Sequence, residues 1–313
     1  MSTFMTTRRL VAASLLSLSS AVALAAPASE TTDAWRSAQQ ARLAAQNDRD
    51  SRIAAVLLAL PADANAPFPP AATETIDALV QANPDDVLSL YVAALVCQLQ
   101  PGCTTTAYVD RLTARAPDNA VHWLLRPAAA APDDAQLRSA AKATNAQPHL
   151  GELRDLLGKA LGAPTAAMAA SRAAALDAIP LPRFAPALNA CKQDGNVRRD
   201  ACIALGRTLF ADARGSILSR MIGSVLLRRL AKGTPDETAA MKFRRDYVWL
   251  GEHKVGEDTR DETLQQDLVR RGEWEAVLRA ADRAGVARTP PADWTPANPQ
   301  QLLLSEDRTP AGG

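Results

Sequence analysis

Four cysteines are the residues of this chain with the clearest chemistry. They form two close pairs in the sequence, Cys97 with Cys103 and Cys191 with Cys202. Three pairings are formally open to four cysteines, and local pairing is favoured because a glycine-containing turn lies between the members of each pair. Neither pair has the CxxC spacing of a zinc site, and no histidine stands nearby. We therefore predict two disulfides, each stabilising the fold by about 2 to 3 kcal/mol.

Histidine, the side chain best suited to proton transfer near neutral pH, occurs only at His122, His149 and His253. No HExxH motif is present, and the three histidines do not cluster in the sequence. We interpret His122, beside Trp123, as a packing or surface residue. We interpret His253 as a partner of the carbonyls at a helix end. The sequence predicts no metal site and no catalytic histidine.

Other catalytic motifs are missing as well. Ser216 lacks the GxSxG frame of a hydrolase nucleophile and is interpreted as a helix start. No GxxxxGK or GxGxxG loop is present to hold a phosphate, so we expect no cofactor. Two acids that are distant in sequence can still meet in a fold. Lytic transglycosylases combine an exported helical superhelix with a catalytic glutamate, but their Glu-Ser dipeptide is absent, and Ser305-Glu306 has the reverse order.

The stretch from Ile76 to Leu125 shows how the helices of this chain are arranged. Asn83-Pro84-Asp85-Asp86 and Ala116-Pro117-Asp118-Asn119 both read as helix starts, with proline in the first turn and Asp or Asn as the cap, and their prolines are 33 residues apart. Apolar residues follow at helical spacing: Leu88, Tyr91, Val92, Leu95 and Leu99, then Tyr108, Val109 and Leu112. A helix pair of this length cannot bury its apolar face alone, so we predict stacked antiparallel helical hairpins.

This pattern resembles the tetratricopeptide repeat, whose period is about 34 residues. Leu90 and Trp123 each stand six residues after their proline, and Ala93-Ala94 occupy the place where the family needs small side chains. Pro127 falls on the small position of the second copy, where it is expected to shorten or kink the helix. The resemblance covers about fifty residues and implies an α-solenoid that presents a binding surface to a protein or peptide.

Composition supports an all-α fold, because the chain is 47% hydrophobic and only 4% aromatic, with abundant alanine. Helices are predicted throughout, among them Glu30 to Leu60 with a break at Asn47-Asp48, Asp133 to Thr144, and Leu150 to Leu161. Arginine pairs interspersed with acids predict solvated helix faces rather than a nucleic-acid surface. They are Arg198-Arg199, Arg228-Arg229, Arg244-Arg245 and Arg270-Arg271.

The chain divides into five predicted parts: a signal peptide (1–25), an N-terminal helical-repeat region (26–178), a Pro-rich linker (179–183), a C-terminal helical region (184–287) and a Pro-rich tail (288–313). The linker is placed at Ile179-Pro180-Leu181-Pro182, because alternating prolines stop a helix. The tail is expected to pack back partly through Leu302, Leu303 and Leu304 or to stay mobile.

Residues 1–25 have the three parts of a secretory signal: Arg8-Arg9, an apolar run from Leu10 to Leu24, and Ala23-Leu24-Ala25 before the expected cleavage point. A retained anchor is the alternative, and Arg8-Arg9 also permit twin-arginine export. We predict a periplasmic or secreted protein without an integral membrane segment after cleavage.

The mature chain would carry 33 basic and 34 acidic residues, since the signal removes two arginines. This balance gives no reason to expect nucleic acid as a partner. We therefore predict an exported, non-enzymatic scaffold or adaptor that binds a protein or peptide partner. A cell-wall glycan enzyme or accessory factor, and an inhibitor or immunity protein, are the alternatives.

Overall fold

The computed structural model describes residues 28–60, 70–99, 106–125, 132–192, 196–258 and 261–308. These residues form fifteen α-helices, three 3-10 helices and no strand, which confirms the all-α prediction. The α-helices are α1 (Ala28–Ala44), α2 (Arg49–Ala59), α3 (Pro70–Ala82), α4 (Val87–Leu99), α5 (Ala107–Arg115), α6 (Ala120–Leu124), α7 (Asp134–Lys142), α8 (Leu150–Leu161), α9 (Ala169–Asp177), α10 (Ala185–Ala190), α11 (Asn196–Ala211), α12 (Ile217–Leu230), α13 (Pro235–Glu252), α14 (Glu262–Arg271) and α15 (Glu273–Ala284). The 3-10 helices are Ala166–Met168, Pro299–Leu302 and Ser305–Asp307.

The helix starts follow the predicted capping residues. Asp48 caps α2 by accepting a hydrogen bond from the backbone N–H of Ser51, so the break at Asn47-Asp48 is confirmed. Asn119 caps α6 through the N–H of Val121. Pro84 and Pro117, expected in the first helical turn, instead lie in the turns before α4 and α6. The reason is that Asp86 and Asn119, two residues later, hold the free amides.

Each of the helices α1 to α6 packs against the next helix in the chain. The helix α8 then returns to α2, α9 returns to α1, and α11 packs on α7. In a simple repeat stack, each unit contacts only its neighbours, so these three contacts add long-range packing to the local series. One buried cluster extends from Leu43 to Leu226, across the linker at 179–183, and the two predicted halves therefore share a core.

A disulfide joins Cys191, just after α10, to Cys202 in α11, with a Cα–Cα distance of 5.8 Å. This confirms one of the two predicted bridges. The other prediction involves Cys103, which lies outside the described residues, and it stays a prediction. The signal segment 1–25 and Pro127 also lie outside the described residues.

The described part of the C-terminal tail packs against α12 and α13. Leu304 is buried, whereas Leu303 is exposed, so the leucine cluster supplies only part of the contact. Most of the polar contacts come from arginines: Arg228 donates to the carbonyl of Leu302 and Arg244 to that of Gln301, both at 2.6 Å. The interpretation of these arginines as solvated helix faces is therefore wrong, because tail carbonyls accept their N–H groups.

No helix among the described residues is both long and apolar enough to span a bilayer.

Candidate functional site

The helix α8 borders two cavities, of about 280 Å³ and about 680 Å³. The smaller lies at its N-terminal end and is bounded by the turns that precede α12 and α15, and the larger is bounded by α9 and α14. Arg154, Asp155 and Val269 line both cavities, so the two adjoin. We call the combined depression the α8 groove.

Two glycines of α8 set the distances within this groove. A Cβ at Gly151 would lie 3.2 Å from the carbonyl oxygen of Val269, so the missing side chain allows α14 to approach closely. A Cβ at Gly158 would lie 3.1 Å from Nη2 of Arg172. That nitrogen donates to the carbonyl oxygen of Gly158 at 3.1 Å, which lays Arg172 across α8. The glycines therefore determine which side chains form the walls.

The groove contains guanidinium nitrogens that lack an acceptor. The Nε atoms of Arg154 and Arg172 are buried and have no hydrogen-bond partner within the described part of the chain. Arg154 lies between two carboxylates, 3.7 Å from Glu273 and 3.9 Å from Asp177. For Arg172 and the exposed Arg270, no described carboxylate lies within ion-pair distance. Arg172 and Arg270 line the larger cavity and can therefore offer charge-assisted hydrogen bonds to an anionic group there.

A histidine cluster stands at the N-terminal end of the groove. The Nε2 atoms of His122 and His149 lie 3.0 Å apart, and the rings are nearly parallel, at 9°. The Nδ1 atom of His149 lies 3.0 Å from Oε2 of Glu152, and the Nδ1 atom of His122 lies 3.1 Å from the carbonyl oxygen of Ala116. The Tyr91 ring lies 4.7 Å from the His149 ring. His149 and Glu152 line the smaller cavity, whereas His122 and Tyr91 lie behind them.

Burial and hydrogen bonding shift the titration of this cluster. His122 is only 1% exposed, and desolvation together with the neighbouring His149 lowers its pKa to about 3. The hydrogen bond from His149 lowers the pKa of Glu152, which keeps that carboxyl ionised. Burial raises the pKa of Tyr91, whose hydroxyl has no hydrogen-bond partner among the described residues. His122 and Tyr91 are therefore neutral, and Glu152 carries a negative charge.

The two histidines come together although 27 residues separate them. The interpretation of His122 as a packing residue accounts for its burial but misses its partner. His149 precedes α8 with a φ of 50°, in the left-handed region, and no sequence motif marks that conformation. Ser216 caps α12 and His253 donates to the carbonyl of Trp249, as interpreted from the sequence. The three cysteines that the structure describes, Cys97, Cys191 and Cys202, do not line the groove.

Three carboxylates, Glu152, Asp155 and Glu273, converge on the smaller cavity, but each already has a partner. Asp155 pairs with Lys159 at 2.6 Å, and Glu273 accepts the N–H of Ile217 at 2.8 Å. A glycan-cleaving acid needs a raised pKa, whereas that of Glu152 is lowered. Within the described ranges, no group of three or more metal-ligating side chains is placed to hold a metal ion.

A search for related proteins found no matching family model, no matching curated protein and no matching solved structure.

Proposed function

We propose that this protein is an exported helical-repeat protein that binds a protein or peptide partner, and that an extended segment of the partner lies in the α8 groove. The observation that carries the proposal is the pair of adjoining cavities along α8, because Arg172 and Arg270 line the larger one and no described carboxylate lies within ion-pair distance of either. An acidic group of a partner would form charge-assisted hydrogen bonds with these two guanidinium groups.

The dimensions of the groove fit a short peptide segment. Twelve residues of α-helix extend over about 18 Å, and an extended chain covers about 3.4 Å per residue, so about five residues of a partner would match α8. Apolar residues line the larger cavity beside the charged ones, at Ala163, Pro164, Ala173 and Leu176. The fitting segment is therefore extended, with small apolar side chains and an acidic residue facing Arg172 and Arg270.

The architecture and the compartment support the same proposal. The serial packing of α1 to α7 is the arrangement that a tetratricopeptide-like stack would have, and such stacks present extended binding surfaces. The Cys191–Cys202 disulfide is compatible with an oxidising compartment. Residues 1–25 would supply the export signal. An inhibitor or immunity protein would be one kind of such a partner-binding protein.

An array of immobilised peptides, each of about five to eight residues, tests this function. The mature protein is compared with an Arg172→Gln/Arg270→Gln variant. The matched control is Arg138→Gln/Lys232→Gln, which removes two exposed cations that do not line the groove.

We expect the wild type and the control to select acidic peptides, and we expect the groove variant to lose about tenfold or more in affinity for them. Retention of no peptide by the wild type, or equal binding by all three proteins, would overturn the proposal.

A further inference from the structure

The hydrogen bonds of the histidine cluster fix how many protons it holds. The carbonyl oxygen of Ala116 only accepts, so the Nδ1 atom of His122, 3.1 Å away, carries a proton. The carboxylate of Glu152 is ionised and also only accepts, so the Nδ1 atom of His149 carries a proton as well. Two neutral imidazoles have one N–H each, and both protons are now assigned.

The facing Nε2 atoms therefore require a third proton. At 3.0 Å, one of them must donate to the other, because two lone pairs would repel each other. Asn119 indicates which ring donates. Its Oδ1 accepts the N–H of Val121, so its Nδ2 is the donor atom of the amide. Nε2 of His122 lies 3.1 Å from this donor and therefore carries no proton. His122 is thus the acceptor, and His149 is the donor. His149 carries protons on both nitrogens and a positive charge beside Glu152.

The charges around the cluster agree with this placement. The charge of Glu152 lies next to His149, whereas neutral groups surround His122: Tyr91 from α4, Asn119 and the carbonyl of Ala116. Arg49 and Asp86, which form an ion pair, also act on Glu152: Arg49 lowers its pKa and Asp86 raises it. Arg214 and Glu273 line the same cavity from the turns before α12 and α15. A second positive charge on His122 would be buried and would lie against that of His149.

The conformation of His149 depends on these bonds. A φ of 50° is unfavourable for a residue other than glycine, asparagine or aspartate, and the two ring bonds hold His149 there at the start of α8. When the third proton leaves, two acceptors face each other. They are either the two Nε2 atoms or Nδ1 of His149 and the carboxylate of Glu152. One ring must then turn, and both His149 and Glu152 line the groove.

We propose that the His122–His149 pair is a proton-operated switch on the α8 groove. With three ring protons bound, the pair holds His149 and Glu152 in place at the end of the groove, and release of the third proton to solvent frees them. The consequence for partner binding rests on the proposed function, whereas the proton count and the release of His149 and Glu152 do not.

Nitrogen-15 NMR of histidine-labelled mature protein, over about pH 5 to 8, tests the proton count. At the acidic end we expect both nitrogens of His149 to be protonated and only Nδ1 of His122, with His122 neutral throughout. Double protonation of His122 in this range, or an unprotonated Nε2 of His149 at every pH, would overturn the proposal.

Hydrogen exchange of the Leu153 amide, whose N–H donates to the carbonyl oxygen of His149 at 2.9 Å, tests the release of His149. We expect exchange in the wild type to accelerate by about tenfold or more, beyond the intrinsic effect of pH, as the third proton leaves. In His149→Asn, asparagine tolerates the left-handed conformation and its amide can donate to Glu152 without titrating, so the acceleration should vanish. His253→Gln, which removes the exposed histidine, should behave like the wild type. Equal acceleration in His149→Asn and the wild type would contradict the switch.

A peptide selected on the array separates this inference from the proposed function. We expect the wild type to bind that peptide more weakly, by about tenfold, after the third proton has left, and His149→Asn to lose this pH dependence. Absence of peptide binding at every pH would overturn the proposed function and leave the NMR result to decide the switch. Peptide binding with the same pH dependence in both proteins would contradict regulation of the groove by the pair.

Discussion

Gly223 of α12 lies directly against Gly206 of α11: a Cβ at position 223 would stand 2.7 Å from the carbonyl oxygen of Gly206 and 2.6 Å from the backbone nitrogen of Phe210. Real Cβ atoms do not approach backbone atoms this closely, and backbone cannot move aside as the end of a side chain can. The packing of α11 on α12 therefore depends on glycine at position 223.

Gly223→Ala is expected to destabilise the fold by about 2 kcal/mol or more, because α11 and α12 must separate to admit the methyl group. The matched control is Gly251→Ala in α13, where no atom lies within 4 Å of the added Cβ and φ is not positive. That change should stabilise the fold by about 0.5 to 1 kcal/mol. Urea unfolding of both variants measures the difference, and equal midpoints would contradict the close approach.

The Cys191–Cys202 disulfide is expected to stabilise the fold by about 3 kcal/mol, as the loop-closure relation gives for a separation of 11 residues. Cys191→Ala/Cys202→Ala should lower the free energy of unfolding by that amount. Thiol titration of the unreduced, denatured wild type should find no reactive thiol, since Cys97 and Cys103 are also predicted to be paired. Four reactive thiols would refute both bridges.

The arginine contacts predict how the tail is held. Arg244 and Arg228 each donate to a tail carbonyl, and Arg245 donates to the carbonyl of Trp294 at 2.8 Å. Arg228→Ala/Arg244→Ala should detach the segment around Gln301 and increase its rate of proteolysis by about tenfold or more. Arg138→Ala is the control, since Arg138 is exposed on α7. Identical cleavage rates would contradict a role of Arg228 and Arg244 in holding the tail.

The free energy of unfolding is expected to fall at acidic pH because of His122. Its pKa is about 3 in the folded state and about 6.5 when it is exposed, so the unfolded chain binds one more proton between those values. Stability therefore falls as pH is lowered through this window, by up to about 1.4 kcal/mol per pH unit. His122→Gln keeps an acceptor near the Nε2 position but does not titrate, so its stability should depend less steeply on pH. Urea unfolding across the window measures the slopes, and the same slope in both proteins would contradict the burial of a neutral His122.

Much of this fold is predictable from local sequence patterns. The limits of α8, Leu150 and Leu161, follow from apolar spacing and from Gly162, and the 191–202 bridge follows from a short turn between helices. The returns of α8 to α2 and of α11 to α7 do not follow, because they join segments far apart in the chain. For the same reason, the sequence gives no signal for the meeting of His122 with His149. The tail contacts of Arg228 and Arg244 are not predictable from the sequence, because an arginine that donates to a carbonyl has the same sequence pattern as a solvated arginine.

Photo-crosslinking from inside the α8 groove tests the central claim most directly. A crosslinking residue replaces the exposed Ala169, which lines the larger cavity, or, as a control, Met241, which is 54% exposed on α13. Both proteins are produced in living cells from the full-length chain before irradiation. Position 169 is expected to form a product with one partner protein that an array-selected acidic peptide suppresses, and position 241 should not form it. The same products from both positions, or a product at position 169 that the peptide does not suppress, would contradict a partner bound in the groove.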